Sequence, residues 1–528
     1  MSEKKKILVP EQLDEEAIAF LELHDDIEAI VLKKPTKEDL IEKINDVDAL
    51  IVRSKTKVDA NLINAAKNLK VIARAGVGTD NIDVVAAENM GILVVNAPEE
   101  SLDSVADLTF SLILSVCRKI NLAITRTKIG DFNRSDLIGY ELNGKTLGII
   151  GFGRIGRKVA KRALPFGLKV VAYDPYVSPT MIDVPQVELM SLEELLKISD
   201  IISIHVPLTE NTNHLLSKKE FEILKKGAFI INTSRGAVID TDALHDALLN
   251  DKVCGVGLDV VEGDKVDCLL DHQNVIITPH IGASTIDAQR NVGQIIVQEV
   301  VSILKGKEPK YPVNFPVLPD DYRDEFYLYK ELLKRMALIV LSIPHDPFNK
   351  ISITFPKRFP RNLINILRRI FLAVYLKPLV STPINIVNAL KIAQERQIEM
   401  VDSLVERKRE YELIEVNIFK DQTILNYISG YINSQNKPEI AQIDAFNSKF
   451  EPEGNMLLII YEDKPGMIGN ISSFLGSNKI NIAELQVVRE KTTKSQLMIV
   501  KLDQKVDKSL VNEMKKIKSI HWLCYNEL

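Results

Sequence analysis

Short aliphatic runs alternate with amphipathic segments over the first 96 residues of the chain. The runs KILVP, ALIVRS, LKVIARAG and ILVVNAP have the length and β-branched content of buried strands, whereas EEAIAFLELH and DANLINAAKN have helical spacing. A strand that returns after each helix is typical of a parallel sheet covered by helices. The pattern therefore predicts an α/β domain at residues 1–96.

A second region with the same alternation spans residues 97–288. It opens with one apolar helical stretch, SVADLTFSLILSVCRKINLAITRTKIG, and continues through the strands TLGII, DIISIHVPL, GAFIINTSRG, VCGVGLDV and NVIITPH. The helix TIDAQRNVGQIIVQEVVSILKG then follows, and we expect it to return to the first domain. We predict two doubly wound, Rossmann-like domains: residues 1–96 plus 289–315, and residues 97–288.

The remaining chain predicts two α+β domains. The proline-rich segment KEPKYPVNFPVLPDD favours an extended boundary, and residues 316–452 mix helices and strands. Residues 453–528 run strand, helix, strand, strand, helix, strand, which is a βαββαβ order. The helix KRFPRNLINILRRIFLAVYLKP is interpreted as having a solvated cationic face, with an anion pocket as the alternative; its cations are Lys357, Arg358, Arg361, Arg368 and Arg369.

Composition narrows the class of protein. The 528 residues, 46% hydrophobic, are enough for several cores. The 67 Lys plus Arg face 72 Asp plus Glu, so no positive field points to nucleic acid. No apolar run predicts a membrane span or a signal peptide, and the four scattered cysteines indicate neither a disulfide framework nor a metal site. We expect a cytoplasmic globular protein.

The motif GFGRIG follows the strand TLGII and opens a helix. It puts Gly151, Gly153 and Gly156 in the G-x-G-x-x-G spacing, which allows a tight turn, a close approach of pyrophosphate and close packing of the helix on the strand. Asp174 ends the next strand at the usual offset of about 20 residues, where it would accept hydrogen bonds from ribose hydroxyls. Its carboxylate would repel a 2′-phosphate. The motif predicts NAD, with a purely structural turn as the alternative.

Three later segments supply the groups that such a cofactor needs. Oxidation of a secondary alcohol requires a base tuned near neutral pH, and His280 follows a strand at the ligand-binding edge of the sheet. Arg235 can grip a carboxylate with two hydrogen bonds. The segment DVVEGDK contains Asp259, Glu262 and Asp264, any of which could orient the histidine. The pattern indicates a dehydrogenase active site.

These segments resemble those of the D-isomer-specific 2-hydroxyacid dehydrogenases. The segments that carry the resemblance are RAGVGTDNID, VVNAP, GKTLGIIGFGRIG, HVPLTENTNHLL, NTSRGAVID, GLDV and TPHIGAST. Further along, INIVNALKIAQER resembles the intervening domain, and DKPGMIGNISSFL the terminal ACT domain, of the long form of this family. The resemblance covers nearly the whole chain.

The resemblance implies NAD-dependent oxidation of 3-phospho-D-glycerate at C2 to 3-phosphohydroxypyruvate, the committed step toward L-serine. Two alternatives stay open. One is another NAD-dependent 2-hydroxyacid dehydrogenase, such as a hydroxypyruvate reductase. The other is an NAD-binding regulator with weak catalysis.

Carried over by position, the catalytic residues of the family fall on Arg235, Asp264 and His280. Asp264 stands where the family has glutamate, and Lys265 where it has proline. Because Asp264 is shorter than glutamate and its loop is altered, two alternatives stay open. The enzyme could be slower, or Glu262 could be the partner of the histidine. The resemblance also implies that Arg235 and His280 line the cofactor site, together with Arg154, Ile155, Pro207, Thr212, Thr233, Asp259 and Gly282.

Substrate contacts are expected in the first domain and from a partner subunit. Arg53 and Arg74 end strands, and the backbone of the glycine-rich loop can cradle a carboxylate; the loop residues are Gly76, Val77 and Gly78. In the family, an arginine that aligns with Arg134 reaches across a dimer interface toward the phosphate. The resemblance thus implies a homo-oligomer, either a dimer or a tetramer.

The resemblance further implies that the terminal domain binds L-serine as an inhibitor between paired copies. Tyr461, Asp463 and Asn481 are the residues that fall on the family's effector positions. An aspartate can bind an α-amino group, and an asparagine can both donate and accept hydrogen bonds. The alternative is a domain that only dimerises.

Overall fold

A computed structural model describes residues 4–181, 183–263, 266–344, 346–406, 411–490 and 495–528. The first domain is a parallel sheet with strands β1 Lys5–Val9, β2 Ile27–Val31, β3 Ala49–Val52, β4 Val71–Arg74 and β5 Leu93–Asn96. Its order is β2-β1-β3-β4-β5. The helices that cover it are α1 Glu15–Glu22, α2 Lys37–Ile44, α3 Ala60–Ala65 and α4 Val84–Asn89.

The second domain is a larger parallel sheet. Its strands are β6 Thr146–Ile150, β7 Lys169–Tyr173, β8 Val187–Leu189, β9 Ile201–Ile204, β10 Ala228–Asn232, β11 Val253–Leu258 and β12 Val275–Ile277. Their order, β12-β11-β10-β9-β6-β7-β8, reverses direction beside β6, which creates a crevice at the carboxyl ends of the strands. The predicted pair of doubly wound domains is confirmed.

The helices of this region are α5 Leu102–Cys117, α6 Ile120–Lys128, α7 Arg154–Ala163, α8 Leu192–Ile198, α9 Lys218–Ile223, α10 Thr241–Leu249, α11 Asp267–Leu270 and α12 Ile286–Leu304. Helix α12 packs on α1, as expected for a return to the first domain. Buried Val292 and Ile296 of α12 join the core of the first sheet.

The single helical stretch expected after residue 101 is instead two helices. Lys119 adopts φ 51, and α5 and α6 meet at 68°. Burial accounts for the break, because α5 has a buried face that includes Phe110 and Cys117, whereas no residue of α6 is buried. Among the described residues, no single helix is long and apolar enough to cross a membrane, and the bent α5–α6 pair passes that test only by length and composition.

The third domain has strands β13 Lys350–Pro356, β14 Glu399–Val405, β15 Ile414–Lys420, β16 Thr423–Ile432, β17 Pro438–Ile443 and β18 Phe446–Phe450. They form a mixed sheet in the order β14-β13-β15-β16-β17-β18, in which only β13 and β14 are parallel. Its helices are α13 Arg323–Ser342, α14 Arg361–Leu376 and α15 Ala389–Glu395.

The fourth domain has strands β19 Asn455–Glu462, β20 Ile482–Arg489, β21 Ser495–Leu502 and β22 Ile520–Glu527, with helices α16 Met467–Ser477 and α17 Lys508–Met514. The sheet is antiparallel, in the order β20-β21-β19-β22, so the expected βαββαβ arrangement is confirmed. One face packs on α16 and α17. The other face joins the core of the third domain, where Trp522 Nε1 donates to Ser342 O at 2.9 Å.

Four of the five cations around α14 have carboxylate partners among the described residues, which argues against the anion pocket considered above. Lys357, Arg358, Arg368 and Arg369 lie within 2.5–3.7 Å of carboxylates. Arg369 is also mostly buried, and its Nη1 donates to Val387 O at 2.5 Å. Three of these contacts lie within the third domain, whereas Arg369 pairs with Glu88 of α4 in the first domain. The interpretation as a solvated face is wrong for Arg369, whose side chain is 13% exposed.

The proline-rich segment runs along the edge of the first sheet. Val313 N donates to Val94 O at 2.7 Å. The Asn314 side chain continues the pattern, because its Oδ1 accepts from Val94 N at 2.8 Å and its Nδ2 donates to Ile92 O at 2.9 Å. This boundary segment thus satisfies the open edge of β5.

We expect Asn314→Ala to lower the free energy of unfolding by about 2 kcal/mol, because two part-buried backbone groups of the edge strand lose their partners. The midpoint of thermal unfolding, followed by circular dichroism, would report the loss. Asn68→Ala is the control, since Asn68 is exposed and its side chain makes no hydrogen bond to a described residue. Equal midpoints for the two variants would contradict the role of Asn314.

Candidate active site

The glycine-rich turn between β6 and α7 has the geometry that the sequence predicts. Gly151 has φ 94, and a Cβ atom there would lie 2.7 Å from His205 O. A Cβ on Gly156 would lie 2.2 Å from Gly151 O, so the helix and the turn touch. A Cβ on Gly153 would meet no atom within 4 Å, which leaves open space before the amino end of α7. That space suits a pyrophosphate.

Asp174 lies at the end of β7, beside this turn. Its Oδ2 accepts from Phe152 N and its Oδ1 from Tyr176 N, both at 2.9 Å. An ionised carboxylate has about four acceptor positions, so these two bonds leave capacity for a pair of ribose hydroxyls. At the start of α7, Arg154 Nη2 lies 3.4 Å from Glu99 Oε1 of the segment before α5. The turn, the open space and the carboxylate fit an adenine dinucleotide without a 2′-phosphate.

Other residues assigned to the cofactor lie near the carboxyl ends of the strands. Thr212 Oγ1 donates to Pro207 O at 2.6 Å in the loop after β9. Thr233 directly follows β10, and its Oγ1 is 2.9 Å from Thr109 Oγ1 of α5. Ile155 packs its half-buried side chain against the core under the turn. The structure therefore places these residues along the crevice.

Asp259 holds the segment that carries His280. The carboxylate is 1% exposed; its Oδ1 accepts from Thr278 Oγ1 at 2.6 Å and from Ile281 N at 2.8 Å, and its Oδ2 accepts from Gly282 N at 2.8 Å. The N–H of His280 donates to Asp259 O at 3.0 Å, with φ 56 at the histidine. A nicotinamide amide would use the remaining acceptor positions of Asp259. His280 itself is exposed.

Glu262, the alternative partner of His280, is engaged elsewhere. Its Oε1 lies 2.7 Å from His214 Nε2, and its Oε2 accepts from Thr241 Oγ1 at 3.4 Å. Both carboxylate oxygens of Glu262 thus have partners, His214 and Thr241, at the far end of the loop after β9 and in α10. Asp264, the acid that aligns with the catalytic glutamate of the family, lies outside the described residues.

Arg235 connects the two α/β domains. Its Nη2 lies 3.1 Å from Asp80 Oδ2, and its Nε donates to Asp80 Oδ1 at 3.3 Å. Two glycines leave room for this ion pair. A Cβ on Gly78 would fall 2.2 Å from Arg235 Nη2, and a Cβ on Gly236 would fall 2.0 Å from Val261 O. Asp80 was not expected from sequence, although it lies in the segment RAGVGTDNID that carries the resemblance.

Arg53, Arg74 and Arg235 form a cationic cluster. Arg74 folds over the glycine-rich loop, since a Cβ on Gly76 would fall 1.3 Å from its Nη1. Burial lowers the pKa of Arg74, and the charges of Arg235 and Arg53 lower it further. Asn96 Nδ2 donates to Val77 O at 2.6 Å and holds the loop in place. Three guanidinium groups in one place suit a ligand with more than one anionic group.

Arg134 lies apart from this cluster in the single chain. Its side chain is exposed in the loop after α6 and makes no hydrogen bond or ion pair with a described residue. Ile129, Phe132 and Ile138 around it are 77–79% exposed. Such an apolar patch is typical of a surface that another protein covers.

The three residues assigned to an effector differ in accessibility. Tyr461 is 1% exposed and its hydroxyl donates to Gln496 Oε1 at 2.6 Å, so its burial argues against contact with a ligand. The side chain faces α16 and α17 because β19 alternates between two covered faces. Asp463 and Asn481 are exposed; Asp463 Oδ2 lies 3.6 Å from Arg489 Nε, and Asn481 is hydrogen-bonded to Asp503.

Comparisons with known domains agree with this arrangement. Residues 110–282 match the NAD binding domain of the D-isomer specific 2-hydroxyacid dehydrogenases. Residues 326–444 match the D-3-phosphoglycerate dehydrogenase intervening domain, and residues 455–519 match the ACT domain. The second α/β domain is therefore an NAD-binding domain.

Solved structures resemble somewhat more than half of the chain. A D-lactate dehydrogenase from Aquifex aeolicus, complexed with NAD and lactic acid, is 33% identical with a TM-score of 0.52, covering 57% of this chain and 96% of that one. A glyoxylate reductase from Paecilomyes thermophila is 30% identical with a TM-score of 0.54, covering 59% and 99%.

Full-length relatives extend the similarity over all four domains. The D-3-phosphoglycerate dehydrogenase of Methanocaldococcus jannaschii is 39% identical, covering 98% of both chains. That of Archaeoglobus fulgidus is 38% identical over 99% of this chain and 100% of its own. With the matched domains in the same order, the chain belongs to the D-3-phosphoglycerate dehydrogenase family, in the long form with NAD-binding, intervening and ACT domains.

Proposed function

We propose that this enzyme oxidises the C2 hydroxyl of 3-phospho-D-glycerate to 3-phosphohydroxypyruvate, the committed step toward L-serine. The observation that carries the proposal is that Arg74 and Arg235 both lie against the glycine-rich loop at residues 76–78. Arg53 is near enough for its charge to act on Arg74, and His280 is exposed. A carboxylate and a phosphate on one small substrate need several cations, whereas an unphosphorylated hydroxy acid needs one.

Each of these residues has a chemical task. NAD, when bound, supplies the hydride acceptor. The imidazole of His280 takes the proton of the C2 hydroxyl, because an alcohol yields a carbonyl only when that proton also leaves. Arg235 grips the carboxylate and polarises C2–O, and the N–H groups of the loop at residues 76–78 bind the same carboxylate. Arg53 and Arg74 face the phosphate.

The ion pair between Arg235 and Asp80 suggests how the substrate enters. The Asp80 carboxylate is mostly exposed and occupies the guanidinium that we assign to the substrate carboxylate. An exposed ion pair contributes little stability, so a substrate carboxylate can share or replace it. The GVG loop and Arg235 are thus kept close before the substrate arrives.

Replacement of His280 tests the reaction. We expect His280→Asn to lower kcat about 1,000-fold, because the base is lost. Asparagine tolerates the left-handed backbone at this position, so the fold and the affinity for NAD should be kept. NADH formation from 3-phosphoglycerate, with NAD titration by fluorescence, is the measurement. Unchanged turnover would remove His280 from the mechanism, and an inert wild type that binds NAD would favour the regulator alternative.

The acid that pairs with His280 is tested by two neighbouring replacements. We propose Asp264 for this role, so Asp264→Asn should lower kcat about 100-fold or more, since the imidazolium loses its counter-charge. Glu262→Gln is the matched control, because the Glu262 carboxylate contacts His214 and Thr241. A larger loss in Glu262→Gln would reverse the assignment.

We also propose that L-serine inhibits the enzyme by binding at the exposed Asp463 and Asn481 between paired ACT domains. Removal of the Asp463 carboxylate should weaken the capture of the α-amino group, so Asp463→Ala should raise the inhibitory concentration of serine about tenfold. NADH formation with increasing L-serine measures it. Asp507→Ala, on the same domain and distant in sequence, is the control. Inhibition that is identical in wild type and Asp463→Ala would favour a domain that only dimerises.

We also propose a homo-oligomer, either a dimer or a tetramer, and the exposed apolar residues near Arg134 support it. A second copy that covers Ile129, Phe132 and Ile138 would remove three large side chains from water. Arg134 could then approach the active site of the partner. The four cysteines, all within the described residues, form no disulfide, which agrees with the cytoplasmic location that we propose.

A further inference from the structure

The loop after β3 carries Arg53, and one carboxylate binds most of its N–H groups. Glu11 Oε1 accepts from Arg53 N at 3.0 Å and from Thr56 N at 2.8 Å, and Glu11 Oε2 accepts from Lys55 N at 3.1 Å. Three N–H groups on one carboxylate form a charge-assisted set that fixes the path of the backbone. Glu11 lies in the loop after β1, 42 residues before Arg53.

The carbonyl groups of the same loop are fixed from the opposite side. Asn81 Nδ2 donates to Arg53 O at 2.8 Å and to Thr56 O at 2.7 Å. The backbone of Asn81 adds a third tie, since Val58 N donates to Asn81 O at 2.8 Å. The loop is therefore clamped between Glu11 and Asn81.

The clamp is connected to the cationic cluster. Arg53 Nη1 donates to Gln12 O at 3.2 Å, so the side chain lies along the segment that contains Glu11. Asn81 directly follows Asp80, which pairs with Arg235. The charge of Glu11 also acts on Arg74, where it opposes the lowering of the pKa. The turn at residues 80–81 thus contacts both the loop that carries Arg53 and Arg235 of the second domain.

We propose that Glu11 and Asn81 are positioning residues that hold Arg53 toward the phosphate of the substrate. The proposal rests on the function proposed above, in which Arg53 binds that phosphate. Both residues bind backbone groups of the loop that carries Arg53. They act through the backbone of Arg53, so their removal should affect phosphorylated substrates and spare unphosphorylated ones.

Glu11→Gln tests the clamp because it replaces one acceptor atom by a donor and removes the negative charge. The volume of the side chain stays nearly the same. We expect the KM for 3-phosphoglycerate to rise about tenfold, since small displacements of a binding group cost substantial affinity. The kcat and the KM for NAD should stay within about twofold. In the reverse direction, the KM for 3-phosphohydroxypyruvate should rise and that for hydroxypyruvate should not.

Two further variants separate an effect on the position of Arg53 from an effect on the stability of the fold. Glu15→Gln makes the same change in the first turn of α1, where the side chain is exposed and makes no hydrogen bond or ion pair with a described residue, so its kinetics should equal wild type. Glu11→Asp keeps the carboxylate and should recover part of the KM. A Glu11→Gln variant with a lower unfolding midpoint but an unchanged KM would overturn the proposal.

A double-mutant cycle with Arg53→Ala separates the proposed binding of phosphate by Arg53 from the proposed positioning of Arg53 by Glu11. Arg53→Ala alone tests the proposed function: it should raise the KM for 3-phosphohydroxypyruvate and leave that for hydroxypyruvate unchanged. Glu11→Gln added to Arg53→Ala should then raise the KM by less than about twofold. Equal effects of Glu11→Gln in both backgrounds would overturn the positioning role while leaving the role of Arg53 intact.

Discussion

The active site depends on one buried carboxylate. Asp259 is removed from water and would be costly unless its charge were satisfied, and a hydroxyl and two N–H groups satisfy it. All three donors come from residues 278–282. The charge therefore organises the loop that presents His280 through contacts within the protein. Within the described residues, the backbone N–H of His280 is held by Asp259 O and its side chain is exposed.

The second constraint is the absence of side chains at Gly78 and Gly236. Arg235 can reach the first domain only because Gly78 leaves room for its guanidinium, and its loop can touch Val261 only because Gly236 does the same. Either Cβ would overlap existing atoms. Two small residues on different domains thus decide how close the binding groups of one domain lie to those of the other.

Sequence patterns predicted what local periodicity and spacing determine. The turn at Gly151, the carboxylate of Asp174 and the βαββαβ order depend on neighbours within one βαβ or ββα unit. The sequence patterns did not predict contacts between residues that are far apart in the chain, such as Glu262 with His214 and Arg369 with Val387. The burial of Tyr461 was also missed, because both faces of its sheet are covered and the alternation of polar and apolar residues carries no signal there.

The break at Lys119 has a similar cause. Both helical halves have acceptable helix propensity, so no residue in the stretch forbids continuation. Helix α5 ends where its contact with the core of the second domain ends. That contact is set by the fold of the domain. The position of such a break depends on tertiary packing, and the sequence of the helix does not contain it.

The apolar core that the third and fourth domains share has a consequence for how these enzymes can be shortened. Strands of the terminal sheet contribute Met456, Leu458, Leu497 and Ile499 to the same core as α13, and Trp522 completes it. A chain cut before β19 would leave this surface of α13 facing water. We therefore expect a chain shortened by truncation alone to aggregate, unless polar substitutions on α13 replace the apolar surface that the ACT domain covers.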